Sequence, residues 1–406
     1  MLKKVFHIDH VIVVGLVLVV IFLFTTMVNA LSFFDPVKRS LDNFSLKDIY
    51  YEIIQQAEAE HSSNIITIVD MSTAYRRDHI ASIIEDIASC EPAVLGVDIV
   101  FEGWREDTLG SELLMDVVRR TENTIFASKL TNGETEKGEE DKLNFAGSVH
   151  SFFSEEIPIT EGFTNVDSDA EGKTLRMFPM TRRCGNNKVY SFTAQVAEAY
   201  QGNIIGQTNE EDRTVIFSGT KIDSIHCDSV RKNCELIKDR IVLLGALNDY
   251  ADKHYTPIGR IPGVEFQAYA IQTLLEHNDV KTMSNSMMWL VSILVIYLSL
   301  VLRVSLYMHL KRSNHPFAAF FTDSSIGFTF LTFLWVCLLV MLNFLVFAAY
   351  YMYMEPLVMC MGVALMGDAS AFYEACIRYL DRKGIKCSFI KNSVYYIKEQ
   401  YNQTEK

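Results

Sequence analysis

Four stretches of this chain carry no charge over lengths that suit a lipid bilayer. Residues 11–28 (VIVVGLVLVVIFLFTTMV) and 287–302 (MMWLVSILVIYLSLVL) are apolar runs; Ser324 to Met354 is uncharged, and another apolar stretch follows Glu355-Pro356 to Gly367. A bilayer core of about 30 Å is crossed by roughly 20 helical residues, because in lipid every backbone polar group must be satisfied within its own segment. The pattern predicts one membrane helix at 11–30 and three at 287–308, 326–348 and 352–370, the last two joined by a tight turn near Tyr351–Pro356.

Lys and Arg flanking membrane segments stay in the cytoplasm. Lys3 and Lys4 precede the first run, Arg303, Lys311 and Arg312 close the second, and the tail after Ala371 holds seven basic against four acidic residues. All three clusters agree with residues 1–10, the loop 309–325 and the tail 371–406 being cytoplasmic, and 31–286 extracytoplasmic. The expected location is a bacterial inner membrane. The tripeptide VNA before Leu31 fits a cleavage site, but an 18-residue run exceeds the roughly 7–15 of a signal peptide. An uncleaved anchor is expected.

Subtracting the 12 basic and 8 acidic residues of the flanks from the chain's 37 and 50 leaves the middle region with a net charge of −17. Nucleic acid and anionic lipid would repel such a domain, so nucleic acid is not an expected partner.

Within that region, 31–62 reads as a helical connector. Then IITIVD (65–70), a helix with Ile80, Ile83, Ile84 and Ile87 on one face, AVLGVDIVF (93–101), TLGSELLMDVVRRT and NTIFASKL alternate as βαβαβ. Short connections of this kind predict a parallel sheet covered by helices. The polar stretch 131–142 reads as an exposed loop; YSFTAQVAEAY as a helix; RTVIFSG and RIVLLGAL as strands; and IPGVEFQAYAIQTLLEH as a helix. The fold class is therefore an α/β exported domain, a mostly parallel sheet with added hairpins, plus an α-helical membrane region of one N-terminal and three C-terminal spans.

Ligands bind beyond the carboxyl ends of parallel strands. Asp70, Asp98, Asn248, Asp249 and Asp252 follow such ends, and could hold a cation or ligand or simply tie the adjacent turns. No phosphate loop, dinucleotide fingerprint, nucleophile elbow or His-Glu-x-x-His occurs, so no catalytic residue is assigned and no enzyme activity is expected. An enzyme using Asp70 and Asp98 is the least favoured alternative. The stretch DSDAEG from Asp167 resembles an EF-hand opening, but its twelfth position is Phe178 where a bidentate Glu is needed. It reads as a tight turn, with no metal and no cofactor implied. The gap in CDSVRKNC could close a Cys227–Cys234 disulfide across a hairpin, while Cys90 reads as a small buried residue.

Taken in order, IITIVD, LGVDIVF, GFTNVDSDAEGKTLR, FTAQVAEAY, RIVLLGA and YTPIGRIPGVEFQAYAIQTLL resemble the CHASE-two family over about residues 45–280. The resemblance implies an extracytoplasmic sensory domain followed by three membrane helices. It maps the family turn onto Gly162, Phe163, Asn165, Asp169, Glu171, Gly172 and Arg176; Gln267 stands where relatives often carry His.

The expectation is a membrane-anchored sensory or ligand-binding protein that lacks its own catalytic output domain, since about 36 residues follow Ser370. Its partners are an extracytoplasmic ligand or protein, membrane lipid, and a membrane or cytoplasmic protein that reads the signal. The alternative is a structural subunit of a cell-envelope complex. Gly362, Ala364, Gly367 and Ala371 suit either a homodimer or packing of the spans within one chain.

Overall fold

The computed structural model describes residues 7–30, 48, 51, 62–104, 106–135, 143–166, 174–207, 212–217, 221–276, 281–312, 325–350 and 352–384. Two compact units make up the chain, Met1–Asp42 with Lys281–Lys406, and Asn43–Val280. The 31–62 connector lies almost wholly outside the described residues, as do Asp169, Glu171 and Gly172 of the family turn.

In chain order the first unit supplies α1 (Ile8–Ala30). The α/β unit then runs β1 (Ser62–Asp70), α2 (Arg77–Ser89), β2 (Val94–Val97), α3 (Thr108–Arg120), β3 (Thr124–Thr135), β4 (Leu143–Val149) and β5 (Thr160–Phe163). It continues with β6 (Met177–Pro179), β7 (Thr181–Cys184), β8 (Asn187–Tyr190), α4 (Phe192–Gln201), β9 (Asp212–Thr214), β10 (Lys221–His226) and β11 (Ile241–Gly245). The hairpin β12 (Lys253–Thr256) and β13 (Gly259–Pro262) leads into α5 (Gly263–Leu275). The helical unit resumes with β14 (Lys281–Thr282), α6 (Asn285–Arg312), α7 (Ser325–Tyr350), β15 (Met352–Tyr353) and α8 (Leu357–Arg382).

The main sheet is nine-stranded, in the order β10-β1-β11-β2-β3-β4-β7-β8 with β5 added beside β3. From β10 to β3, and between β3 and β5, every pairing is parallel. β2 and β11 are buried at every position, as strands covered on both faces must be. Alternation assigns their side chains to the two layers: Val69, Leu95, Val97, Val242 and Leu244 join a core with Ile80, Ile83, Ile84 and Ile87 of α2 and Leu114 and Val118 of α3. On the other face, a Cβ added to Gly96 of β2 would meet Leu243, Phe192 and Val196, so this face lies under α4. Each buried Ile or Leu contributes about 1.5–3 kcal/mol relative to exposure.

Two sequence readings are corrected. The polar stretch expected to loop out continues β3 as far as Thr135 and pairs antiparallel with β4, from Lys129 opposite Val149 to Thr135 opposite Leu143. The ladder satisfies the backbone there, so the segment needs no apolar run to remain a strand. The Cys227–Cys234 disulfide does not form: Cys234 is bonded to Cys90, with Cα atoms 5.1 Å apart, and Cys227 is a buried thiol. Residues Cys227–Lys232 wind into a 3-10 helix instead of a hairpin, with Cys227 and Val230 turned inward.

In the helical unit, α1, α6, α7 and α8 are each long and apolar enough to cross a membrane. Val13, Val17 and Ile21 of α1 share a core with Ile296 and Leu300 of α6 and Met359, Val363 and Met366 of α8. Gly362 faces the side chain of Ile296, with no room for a Cβ unless Ile296 shifts, and Gly367 lies against the guanidinium of Arg303, so both glycines sit where spans of one chain pack together. Polar contacts add to this: Trp335 Nε1 donates to Ser299 Oγ at 2.9 Å, and the Tyr373 hydroxyl to Asp9 Oδ1 at 2.9 Å.

Candidate functional site

At the carboxyl rim of the sheet lies a cleft of about 340 Å³, lined on its polar side by Asp98, Thr164, Asp249, Asp252, His254 and Gln267, and on its apolar side chiefly by Val100, Val166 and Phe266. The fold brings these together from five places, His254 coming from β12. Asp98 follows the end of β2, where its backbone N–H donates to the Leu244 carbonyl at 2.9 Å; Thr164 follows β5; Asp249 and Asp252 lie between β11 and β12; Gln267 belongs to α5. Gly245 ends β11 and Gly263 opens α5. A Cβ on Gly263 would collide with the Asp252 carboxylate, so glycine lets that carboxylate close over the first turn of the helix, where the dipole favours negative charge.

The electrostatics are dominated by Asp98. Burial against the sheet pushes its carboxyl up to about 7, the negative charge of Asp252 adds to the rise, and His254 opposes it. His254 Nε2 lies 3.6 Å from Asp252 Oδ1. Burial likewise raises Glu265, in the first turn of α5, with Lys253 opposing. Asp249 caps its own turn by accepting the Ala251 N–H at 2.9 Å. Gln267 is held by the Thr193 hydroxyl, which donates to its Oε1.

The expected residues separate into two groups. Asp98, Asp249 and Asp252 converge on the cleft, whereas Asp70 and Asn248 do not line it. Asp70 accepts from the Ser72 N–H at 3.0 Å, the Ser72 hydroxyl at 2.5 Å and the Leu247 N–H at 3.1 Å, tying the end of β1 to the turn after β11. Burial alone would raise its pKa, and these bonds outweigh it, holding the carboxyl below its ordinary value. The Asn248 N–H donates to the same Ser72 hydroxyl. Asp70 and Asp98 therefore do not share the cleft. The family-turn residues also hold structure: Asn165 grips Leu130 through both its amide oxygen (2.6 Å) and nitrogen (3.0 Å), and Arg176 clasps Asp48 with two hydrogen bonds of 2.9 and 2.6 Å. His254, Thr164 and Phe266 went unnoticed in the sequence because nothing in their spacing links them to β2.

A family model described as the CHASE2 domain matches residues 15–306, well over half of the chain. Searches of curated proteins and of solved structures find no match.

Proposed function

The chain belongs to the CHASE2 domain family, and on that premise we propose that this membrane-anchored sensory protein takes a small cationic ligand in its acidic cleft and passes the signal to a separate partner. CHASE2 is a sensory domain, not a catalytic one. The observation that carries the ligand reading is the convergence of Asp98, Asp249 and Asp252 with His254 in one small cleft. Carboxylates there favour an amine or similar cation, and the apolar wall of Val100, Val166 and Phe266 suits a short aliphatic stem. In this reading 31–286 lie outside a bacterial inner membrane and both termini in the cytoplasm, as the basic flanks support.

A cation that needs Asp98 ionised must displace its proton. Calorimetry of the full-length protein in detergent with a short aliphatic diamine is expected to show about tenfold tighter binding at pH 8 than at pH 6, on either side of a pKa of about 7. Asp252→Asn should abolish most of the heat. Equal affinity at the two pH values, or binding that survives the substitution, removes the cleft from the proposal.

The partner is tested separately by crosslinking in the native membrane and mass spectrometry. A kinase, cyclase or other regulator joined to residues 371–406 is the expected result. Crosslinks confined to envelope proteins and residues 31–286 would instead make the protein a structural subunit.

A further inference from the structure

At the carboxyl end of β10, away from the cleft lining, three different ligand types meet. His79 from the first turn of α2, and Cys227 and Asp228 from the 3-10 helix after β10, place one nitrogen, one sulfur and one oxygen within 4.8 Å of one another. We infer that these side chains form a binding site for a borderline divalent cation, Zn²⁺ being the best fit. His79 Nε2 stands 3.7 Å from Asp228 Oδ1, and Cys227 Sγ stands 4.0 Å from the same oxygen. Tetrahedral zinc with metal–ligand bonds of about 2.0–2.3 Å has ligand–ligand edges of about 3.3–3.7 Å. An ion is therefore accommodated by closing these two gaps by up to about half an ångström and the third, within 4.8 Å, by up to about an ångström, and the half-exposed His79 and exposed Asp228 side chains are placed to make that adjustment. The mixed nitrogen, sulfur and oxygen set matches Zn²⁺ better than the all-oxygen sites of Mg²⁺ or Ca²⁺.

The backbone prepares the arrangement. His226 caps the 3-10 helix, its Nδ1 accepting the Asp228 N–H at 3.3 Å, which turns Cys227 inward and Asp228 outward. Cys227 remains a thiol although Cys234, seven residues on, is bonded to Cys90. The chain spacing of His79 from Cys227 hides the site from any local motif. With three protein ligands, the fourth position is left for water or a further ligand. A bound ion would staple α2 to the 3-10 helix after β10, beside the Arg231–Asp86 ion pair that already joins them.

The full-length protein in detergent, titrated with Co²⁺ as a spectroscopic stand-in, is expected to bind one ion with a thiolate-to-cobalt charge-transfer band that Zn²⁺ removes. Cys227→Ser should abolish the band, and His79→Ala or Asp228→Asn should weaken binding at least about tenfold. In the unsubstituted protein, Zn²⁺ should slow alkylation of Cys227 at least about tenfold as read by peptide mapping, so the idea remains testable even if Cys227→Ser misfolds. Alkylation at an unchanged rate, or a thiolate band that persists in Cys227→Ser, would overturn the proposal. Binding at the acidic cleft cannot imitate the result, because no sulfur lines it.

Discussion

At pH 8 the Asp98→Asn protein will melt above the unsubstituted one, and by pH 4 the difference will be gone. The cause is the buried carboxyl, whose pKa stands at about 7 in the fold against an ordinary value of 3.8. Between those values the folded state holds the Asp98 proton and the unfolded chain has released it. The folded state thus binds more protons, and stability falls as pH rises through this window. Roughly three pKa units correspond to about 4 kcal/mol, reduced to about 2–4 kcal/mol because Asp98 faces the water of the cleft. For a unit of this size the gain at pH 8 is about 5–15 °C in thermal midpoint. Glu265, also raised by burial, slopes the same way in both proteins and cancels in the difference. A difference curve that is flat from pH 4 to 8 would show that Asp98 is ionised throughout. The same substitution should remove the pH dependence of diamine binding, which separates a strained binding group from a merely buried one.

Gly162→Ala is expected to act about as strongly in the opposite direction. The added Cβ would lie 2.5 Å from both the backbone nitrogen and the Cα of Phe192. These are main-chain atoms at the start of α4, where Phe163 bridges to Ser191 and the Ser191 side chain accepts the Ala194 N–H at 3.2 Å. A flexible side chain could swing away; a capped helix start cannot. Overpacking of this kind costs about 3 kcal/mol or more, or about 6–12 °C in midpoint. Circular dichroism melts of the purified variant read the effect directly. A midpoint within 2 °C of the unsubstituted protein would mean that α4 shifts freely, contrary to its packing on β2 and β5.

How far the sequence revealed the molecule depends on how local the information was. Ile80, Ile83, Ile84 and Ile87 announce a helical face by their spacing alone, and all four are buried against the sheet. The β-branched runs ending at Asp70 and Gly245 likewise show themselves as covered strands. The order in which strands lie side by side is another matter. β11 inserts between β1 and β2, so Asp98 meets residues 150 positions away, and no spacing rule links it to His254 or Phe266. Cys90 and Cys234 are 144 positions apart for the same reason, whereas the tempting Cys227 is near in sequence and turned elsewhere. The polar end of β3 reads as a loop by composition, which is blind to the antiparallel backbone pairing with β4 that keeps it a strand.

The bond from Tyr373 to Asp9 joins groups separated by 364 positions, and the inner faces of α1 and α8 are completed by one another. A ribosome adding about 5–20 residues per second takes roughly 20–70 s to make that stretch. For that interval α1 waits in the membrane without its final neighbour, while the intervening α/β unit has time to fold by itself. The core shared by α1 and α8 can therefore close only after α8 has been made, and a chain halted before Leu357 lacks the helix that completes the inner face of α1.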